Sequence, residues 1–596
     1  MNKSEAHLQE YEKELSYLRR AGVEFAKKYP KIAARLELDT GQSPDPHVER
    51  LIESFAFLAA DLKIKMKREF LNFGMTMLDI LYPHLANPIP SMSVARFMVD
   101  PSRGKFDKGF PIPKDTPLYA ETGTGEPCRF MTCYPVTLWP LEVDFADYEP
   151  NWKYKKVRLA ADAHTVLRIR VASLSSASIS TLQLNKLRFF IRGERSAAFS
   201  LYEQIYADGT IAAVLQDSSD EIEILPGNAI SEVGFSSEEN ALPDSRAGNP
   251  GHRLIQEYFA FPDKFLFFDI GALDLSRSNK YFDLLFFLKS RPGKGFHVDK
   301  NNFCLGCTPI INLFRQVTEP IRLDEKSMEY RLVPDSHREK YTDIYSIIAI
   351  SELSAPGADS RLIAPFFASH HRGKTDHTGS YWIARRRDDT PCADIYLSFV
   401  NPDMNPRLPP TKIVYAETYC TNRKLAEEIP NGTLLQIEKS VPASRIEIIV
   451  KPTERVASVS SGRALWMLIS NLSINHLPMG GGRQGLESLK EVLAIYDSPQ
   501  KSTMLIRGIA DMEVGRTISR IGEDAWRGFC IGQGITFTFD EDYFVGSSAL
   551  MLAAVLNRFL PQYASINSFT QVGVKSYQKN GIWKKWPPMI GNRFLL

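Results

Sequence analysis

Cysteine is scarce in this chain: seven residues scattered among 596. That excludes a dense disulfide framework and fits a protein kept in a reducing, cytoplasmic compartment. Long apolar runs are also missing. The longest, Gly546–Leu556 and Leu284–Leu288, fall well short of the ~20 residues that a membrane-spanning helix needs, so no direct membrane insertion is expected. The opening residues are charged and polar, and no signal peptide is expected. Charge of one sign is not in excess: 72 basic residues face 70 acidic ones, for a net charge of +2. Nothing there points to a nucleic-acid partner, which needs a concentrated basic surface. A hydrophobic fraction of 44% and a charged fraction of 24% are those of a soluble globular protein. The length suggests about four domains.

Recognisable catalytic constellations are absent too. The chain has no GxSxG elbow, no HExxH and no paired carboxylates in a known frame. Cys304-Leu-Gly-Cys307 is a CxxC, but structural zinc needs four ligands. The nearest other cysteines are Cys133 and Cys392, and His297 is the only histidine close by. A redox role would want the pair at a helix N-terminus, whereas Cys307 leads into strand-like text. His370, His371, Asp376 and His377 form the densest metal-like cluster. Arg372 and Lys374 oppose a cation there, and solvated loop residues are the simpler reading. Gly480–Gly485 formally matches GxGxxG, but Pro478 breaks any strand leading into it, so the fingerprint lacks its βαβ context. Arg385–Arg387 is answered at once by Asp388 and Asp389 and reads as a solvated face. No cofactor, no metal and no enzyme activity are expected.

What the chain does have is a helical start. Leu8, Tyr11, Leu15, Leu18, Gly22, Phe25 and Tyr29 recur at alternating steps of three and four, which sets one narrow apolar stripe on a helix that Pro30 ends. A second helix begins at Asp45-Pro46, a cap followed by a first-turn proline. Val48, Leu51, Ile52, Phe55, Leu58, Leu62 and Met66 form its apolar face. The pattern falters around Asn72–Gly74 and resumes to Leu81. Stripes this narrow suit packing against other helices rather than covering a sheet. The alternative is a helix docked on the chain's own core. The expected partner-facing residues are Leu8, Tyr11, Leu15, Leu18, Phe25, Leu51, Phe55, Leu58 and Leu62.

After Pro90 the period changes. Val94–Val99, Val166–Val171, Leu187–Ile191, Ile222–Leu225, Ile344–Ile350, Ile395–Val400, Leu434–Ile437 and Ile446–Val450 read as strands between Gly, Pro, Asp and Ser clusters. Ser196–Asp208 reads as a helix within them, and Ser236–Pro250 as an exposed loop. Phe259–Asp274, with five phenylalanines in ten residues, reads as a core strand and its neighbours rather than an aromatic ligand shelf. Helices return at Gly485–Asp497 and Ser547–Phe559, with a strand within Arg527–Phe539 and strand or loop over Tyr563–Val572. The expected fold class is α+β multidomain: an N-terminal helical region over 1–90, sandwich- or barrel-like β-rich modules over 91–330 and 331–480, and an α+β module over 481–596.

Several stretches carry a family resemblance. YEKELSYLRRAGVEFAKKYPKIAARL, DPHVERLIESFAFLAADLKIKM, LYPHLANPIPSM, CTPIINLFRQVTEPIRLD, YASINSFTQ and the closing WPPMIGNRFL resemble the TssF family, also called VasA or ImpG, over essentially the whole chain. The resemblance implies a structural subunit of the type VI secretion baseplate wedge. Its implied partners are a second TssF copy, TssG, TssK, TssE and the VgrG spike, with the assembly docked in the cytoplasm at the inner-membrane secretion complex. The competing reading is a multidomain β-rich, carbohydrate-active enzyme with a carboxylate pair in a cleft.

Overall fold

The computed structural model describes residues 3–35, 44–123, 125–154, 163–207, 210–218, 221–243, 250–289, 296–324, 326–352, 361–367, 380–387, 394–401, 403–409, 413–458, 462–463, 466–467, 469, 482–496, 502–520, 528–565, 568–579 and 581–591. The fold is α+β and multidomain. It divides into two compact units, Met1–Ile80 with Ser460–Leu468, and Leu81–Val459 with Ile469–Leu596.

Two long helices dominate the first unit, Lys3–Lys28 and Pro46–Leu81, with a single turn at Pro30–Ala33. Tyr29, with φ −132° and ψ 65° outside the helical region, ends the first helix, as the clash of the Pro30 ring with the preceding residue favours. Asp45 caps the second by accepting the His47 amide at 2.8 Å. Gly74 does not interrupt this helix, although the sequence pattern falters there. Its intrinsic cost of about 1 kcal/mol is outweighed by the continuous turns on either side, and Gly74 itself is buried. The two helices are tied by Arg19 on Glu49 (Nε–Oε1 3.0 Å), by Lys63 on Glu14, and by the Tyr11 and Phe57 rings, whose centroids lie 6.5 Å apart.

The second unit is built from sheets. Met92–Val99 lies between Cys307–Ile311 and Ala443–Val450, antiparallel to both. The same sheet continues through Cys128–Thr132, Pro117–Ala120 and Leu435–Ile437. Its two ends meet through the Leu434–Glu447 bridge and the Gly432 N–H to Ile448 carbonyl bond of 2.8 Å. Six strands thereby close on themselves around Phe97, Leu118, Phe130, Leu138, Ile310 and Ile448, and closure removes exposed strand edges. This sheet crosses the border expected at residue 330, because its strands come from both expected β modules.

Thr165–Ser173 pairs with Leu141–Pro150 and Tyr281–Leu288 in a second sheet. The alternation read in Val166–Val171 has a physical partner. Arg168 and Arg170 converge on the buried Asp283 (2.6 and 2.8 Å), which stands opposite Arg170 in register. A third sheet holds Phe267–Gly271 and Lys186–Ile191. Phe268 stacks on Phe189 at 5.0 Å and meets Phe286 and Phe303 edge-on at 6.0 and 6.2 Å, so the phenylalanine-rich stretch fills the core. Further along, Asp343–Glu352 and Ile413–Thr421 enclose with Ile395–Val400 a separate core around Ile344, Ile350, Leu397, Phe399 and Val414.

Near the C-terminus, Ile509–Arg520 and Phe529–Phe539 form a hairpin, and Phe569–Ser576 lies parallel to the latter after the Ala549–Phe559 helix. A parallel pair needs such a crossover. The Ile509–Arg520 strand was not anticipated from sequence. Neither was the Pro250–Ala260 helix, where an exposed loop was expected to end and a core strand to begin. Residues 251–258 of that helix and nearly all of Ala549–Phe559 are buried. At their crossing a Cβ on Gly251 would come within 3.2 Å of the Phe559 Cα, so any larger residue would push the two helices apart by a few tenths of an ångström.

The Pro250–Ala260 helix buries charge. Glu257 is wholly buried and pairs with the equally buried Lys264, while the Ala241 and Leu242 amides donate to Glu257 Oε1 at 2.9 and 2.8 Å. Tyr134 Oη donates to the Lys264 carbonyl at 2.9 Å. One turn earlier, His252 Nδ1 bonds the Tyr496 hydroxyl, and its ring lies 5.9 Å from His84 and 5.2 Å from Phe559. Burial holds His84 down to about 4 and His252 down to about 3, with Arg253 adding to the first and His84 to the second. Both are therefore neutral at physiological pH.

This gives a signed expectation. A histidine depressed below its unfolded value of about 6.5 contributes stability above that pH and loses it as the pH falls toward the folded value. Glutamine cannot take up the proton. His252→Gln should therefore be destabilising at neutral pH, and that penalty should shrink by about 3 kcal/mol by pH ~4, at ~1.36 kcal/mol per unit. Denaturant titrations of both proteins across this range measure it. A constant difference would show that His252 does not titrate as its burial requires.

Candidate assembly interface

Among the described residues, no group of three or more His, Cys, Asp or Glu is placed to hold a metal ion. His370, His371, Asp376 and His377 lie outside the described residues, as do Gly480 and Gly481. Gly482 precedes the Arg483–Ile495 helix with φ +96°. Arg385–Arg387, expected as a solvated face, are half-buried. Arg386 donates to the Ile344 and Tyr345 carbonyls at 3.0 and 2.7 Å, and Arg385 and Arg387 both pair with Glu329. Successive side chains alternate along an extended chain, so Arg386 reaches the carbonyls of Asp343–Glu352, a strand of another sheet, while Arg385 and Arg387 share Glu329.

The feature that remains is the surface of the first unit. On the Pro46–Leu81 helix the residues turned inward are small: Ala56 and Ala60 are fully buried, with Leu78 further along. The opposite face carries Leu51, Phe55, Leu58, Leu62, Met66, Phe70 and Phe73, each 60–71% exposed. At about 100° per residue all but Phe70 fall within roughly a quarter-turn of the axis, and the stripe runs about 33 Å. Large side chains point outward and alanines inward, the reverse of a helix covering its own core.

The first helix is mixed. Leu8 and Phe25 are exposed, while Tyr11, Leu15 and Leu18 are half-buried. Between the helices an open cleft of about 480 Å³ is lined by Tyr11, Glu53, Ser54, Phe57 and Leu58. Of the residues singled out from sequence, Leu51, Phe55, Leu58 and Leu62 thus form one continuous exposed stripe. Phe70 and Phe73, not singled out, extend it. Their signal was the same spacing of three and four, obscured by Asn72 and Gly74. Phe57, also exposed, lies on a different face beside Tyr11.

A β-rich body joined to helices whose apolar face lies open defines the class: a subunit of a larger assembly, since monomers rarely expose a contiguous apolar stripe of this size. The chain belongs to the TssF family of the type VI secretion system, whose family model matches residues 3–593. This is a family of structural components. The type VI secretion system component TssF1 of Pseudomonas aeruginosa is 31% identical over 615 aligned positions, covering 98% of this chain and 99% of that one. In fold, the chain resembles one from the type VI secretion system TssK-TssF-TssG baseplate subcomplex determined by cryo-electron microscopy. That match has a TM-score of 0.74 and 24% identity, covering 92% of this chain and 99% of that one. A chain of another structure, the baseplate complex from the type VI secretion system, matches with a TM-score of 0.57 and 21% identity over 99% and 100% of the two chains.

Proposed function

We propose that this chain is a structural subunit of the baseplate wedge, and that its N-terminal helices bundle with TssG and with a second copy of the chain. The observation that carries this reading is the outward-facing stripe from Leu51 to Phe73. Fully burying one large apolar side chain contributes about 1.5–3 kcal/mol, so seven of them offer on the order of 10 kcal/mol to any partner that covers them. The half-buried Tyr11, Leu15 and Leu18 and the exposed Leu8 and Phe25 form the second side of the same bundle. TssK binds the resulting subcomplex, and TssE and the VgrG spike are met as wedges close into a ring. The assembly works in the cytoplasm, docked on the inner-membrane secretion complex. Its role is mechanical: packed helices hold wedges together, and rearranged interfaces release the sheath.

Hydroxyl-radical footprinting tests this directly, because methionine and phenylalanine react readily. Met66, Phe55, Phe70 and Phe73 should be labelled in the isolated chain and protected in the complex with TssG and TssK from the same system. Equal labelling in both states would mean that the bundle forms elsewhere.

A further inference from the structure

We propose that the cavity beside Arg96 binds a small carboxylate whose apolar body is about the size of a benzene ring. Arg96 lies in the middle of the Met92–Val99 strand. Its neighbours Ala95 and Phe97 are buried in the barrel core. Side chains alternate along a strand, so Arg96 is turned to the outer face of the barrel, where it lines a cavity of about 200 Å³. Leu141 from the second sheet and Leu187 from the third line the same cavity, which therefore lies where three sheets meet. Cys307, opposite Arg96 in register, adds a buried thiol to the wall.

The cavity carries one unanswered charge. Arg96 is half-buried, and among the described residues its side chain has neither a hydrogen bond nor an ion pair. On the other neighbouring strand Glu447 stands opposite Arg96, but its carboxylate is taken by Arg445 at 2.7 Å. The second guanidinium on the wall, Arg188, is already committed. Its Nε and Nη2 donate to Asp269 at 2.7 and 2.8 Å, and Nη2 also bonds Glu239. The guanidinium fork of Arg96 matches a carboxylate bidentately, and partial removal from water strengthens such a pair.

The rest of the wall sets the body of the ligand. Val136, Trp139, Leu141, Leu174 and Leu187 are apolar. A cavity of roughly 150 Å³ with apolar walls holds benzene, so one of about 200 Å³ has room for a ring and its carboxylate. Acetate would leave the apolar wall uncovered. Phosphate would do the same, and its second negative charge would face the exposed Glu142, which also lines the cavity. A monoanion with an apolar body satisfies both parts of the site.

The test is ligand-observed fluorine NMR on the full chain, with 4-fluorobenzoate as the probe. The probe's line should broaden with the protein and sharpen again when benzoate is added in excess. Benzyl alcohol keeps the ring without the charge, and acetate keeps the charge without the ring; both should compete far less well. Arg96→Gln should weaken binding about tenfold or more, since a charged hydrogen-bonded pair is lost. Leu174 is 38% exposed, so Leu174→Trp can fill the cavity without disturbing a core, and it should abolish binding with Arg96 intact. Circular dichroism shows whether both variants are folded. Benzoate should also raise the melting temperature of the unaltered chain and of neither variant, because it binds only where folded sheets meet. The same measurement on the complex with TssG and TssK separates two sources of this chemistry. A free small acid leaves the site open to the probe there, whereas a carboxylate side chain from a partner shuts it out. The proposal is overturned if the line stays sharp, or if it broadens equally with the unaltered chain, Arg96→Gln and Leu174→Trp, which would mean an adventitious contact only.

Discussion

Leu58→Glu combined with Leu62→Glu should leave a folded, soluble subunit that no longer assembles. Both side chains are more than half exposed, and substitutions at such positions usually change stability by no more than about 0.5 kcal/mol. The melting temperature of the isolated chain should barely move. In the assembly the same positions would be covered, and two lost leucines forfeit at least about 3 kcal/mol. That is a hundredfold in affinity at ~1.4 kcal/mol per decade, before the cost of placing two carboxylates in an apolar seam. Pull-downs with TssG should lose their signal. Glu12→Lys with Lys67→Glu, both at exposed helical positions, should keep assembly. Leu15→Glu with Leu18→Glu should do more damage to the lone chain, since these two are half-buried: a lower melting temperature as well as failed assembly. If Leu58→Glu/Leu62→Glu unfolds the subunit instead, that face belongs to an internal core.

The largest effect on stability should come from the buried pair Glu257 and Lys264. Lys264→Met removes its closest counter-charge and leaves the wholly buried Glu257 carboxylate with the Ala241 and Leu242 amides and the more distant Arg253 guanidinium, at 3.9 Å, to answer it. Breaking such a pair from one side costs about 3–5 kcal/mol. That is a large share of a domain's net stability of about 5–15 kcal/mol, so the single variant should melt far lower or fail to express. Removing both charges is a different matter. Glu257→Gln with Lys264→Met keeps an acceptor for the two amides and costs Arg253 only a contact at 3.9 Å, so it should regain most of the loss. A double variant as unstable as the single one would mean that packing around Lys264, rather than charge, sets the cost.

How much of this was legible in advance depends on how far each signal reaches along the chain. The strands read at Val94–Val99, Val166–Val171, Leu187–Ile191 and Ile395–Val400 are present because β-branched and alternating residues carry their own pattern. The Ala549–Phe559 helix was legible from Ser548, whose hydroxyl caps it at the Met551 amide (3.1 Å). The Pro250–Ala260 helix was not, because its buried face includes His252, Arg253, Gln256 and Glu257. Their burial is made tolerable by Lys264 and the Ala241 and Leu242 amides for Glu257, by the His84 carbonyl for Gln256 and by the Tyr496 hydroxyl for His252, which no local pattern reports. The modular borders failed for the same reason: a barrel assembled from strands at 92, 307 and 443 leaves no composition shift at residue 330. The Leu51–Leu62 stripe was visible as a spacing. That it faces outward became apparent only once Ala56 and Ala60 were seen buried on the other side.

The barrel's closing strand also sets a schedule. Met92–Val99 leaves the ribosome early, but its neighbour Ala443–Val450 begins 344 residues after Val99 (443 minus 99). At roughly 5–20 residues per second that is a wait of about 17–70 s. Throughout it a strand of alternating apolar residues has one edge without its partner. Exposed edges of this kind pair with whatever is near, and neighbouring nascent chains on a polysome present the same strand. Synthesis, rather than equilibrium stability, is then where this protein is most vulnerable. Yield should depend on chaperone supply and on slow translation at low temperature more strongly than its melting temperature alone would suggest.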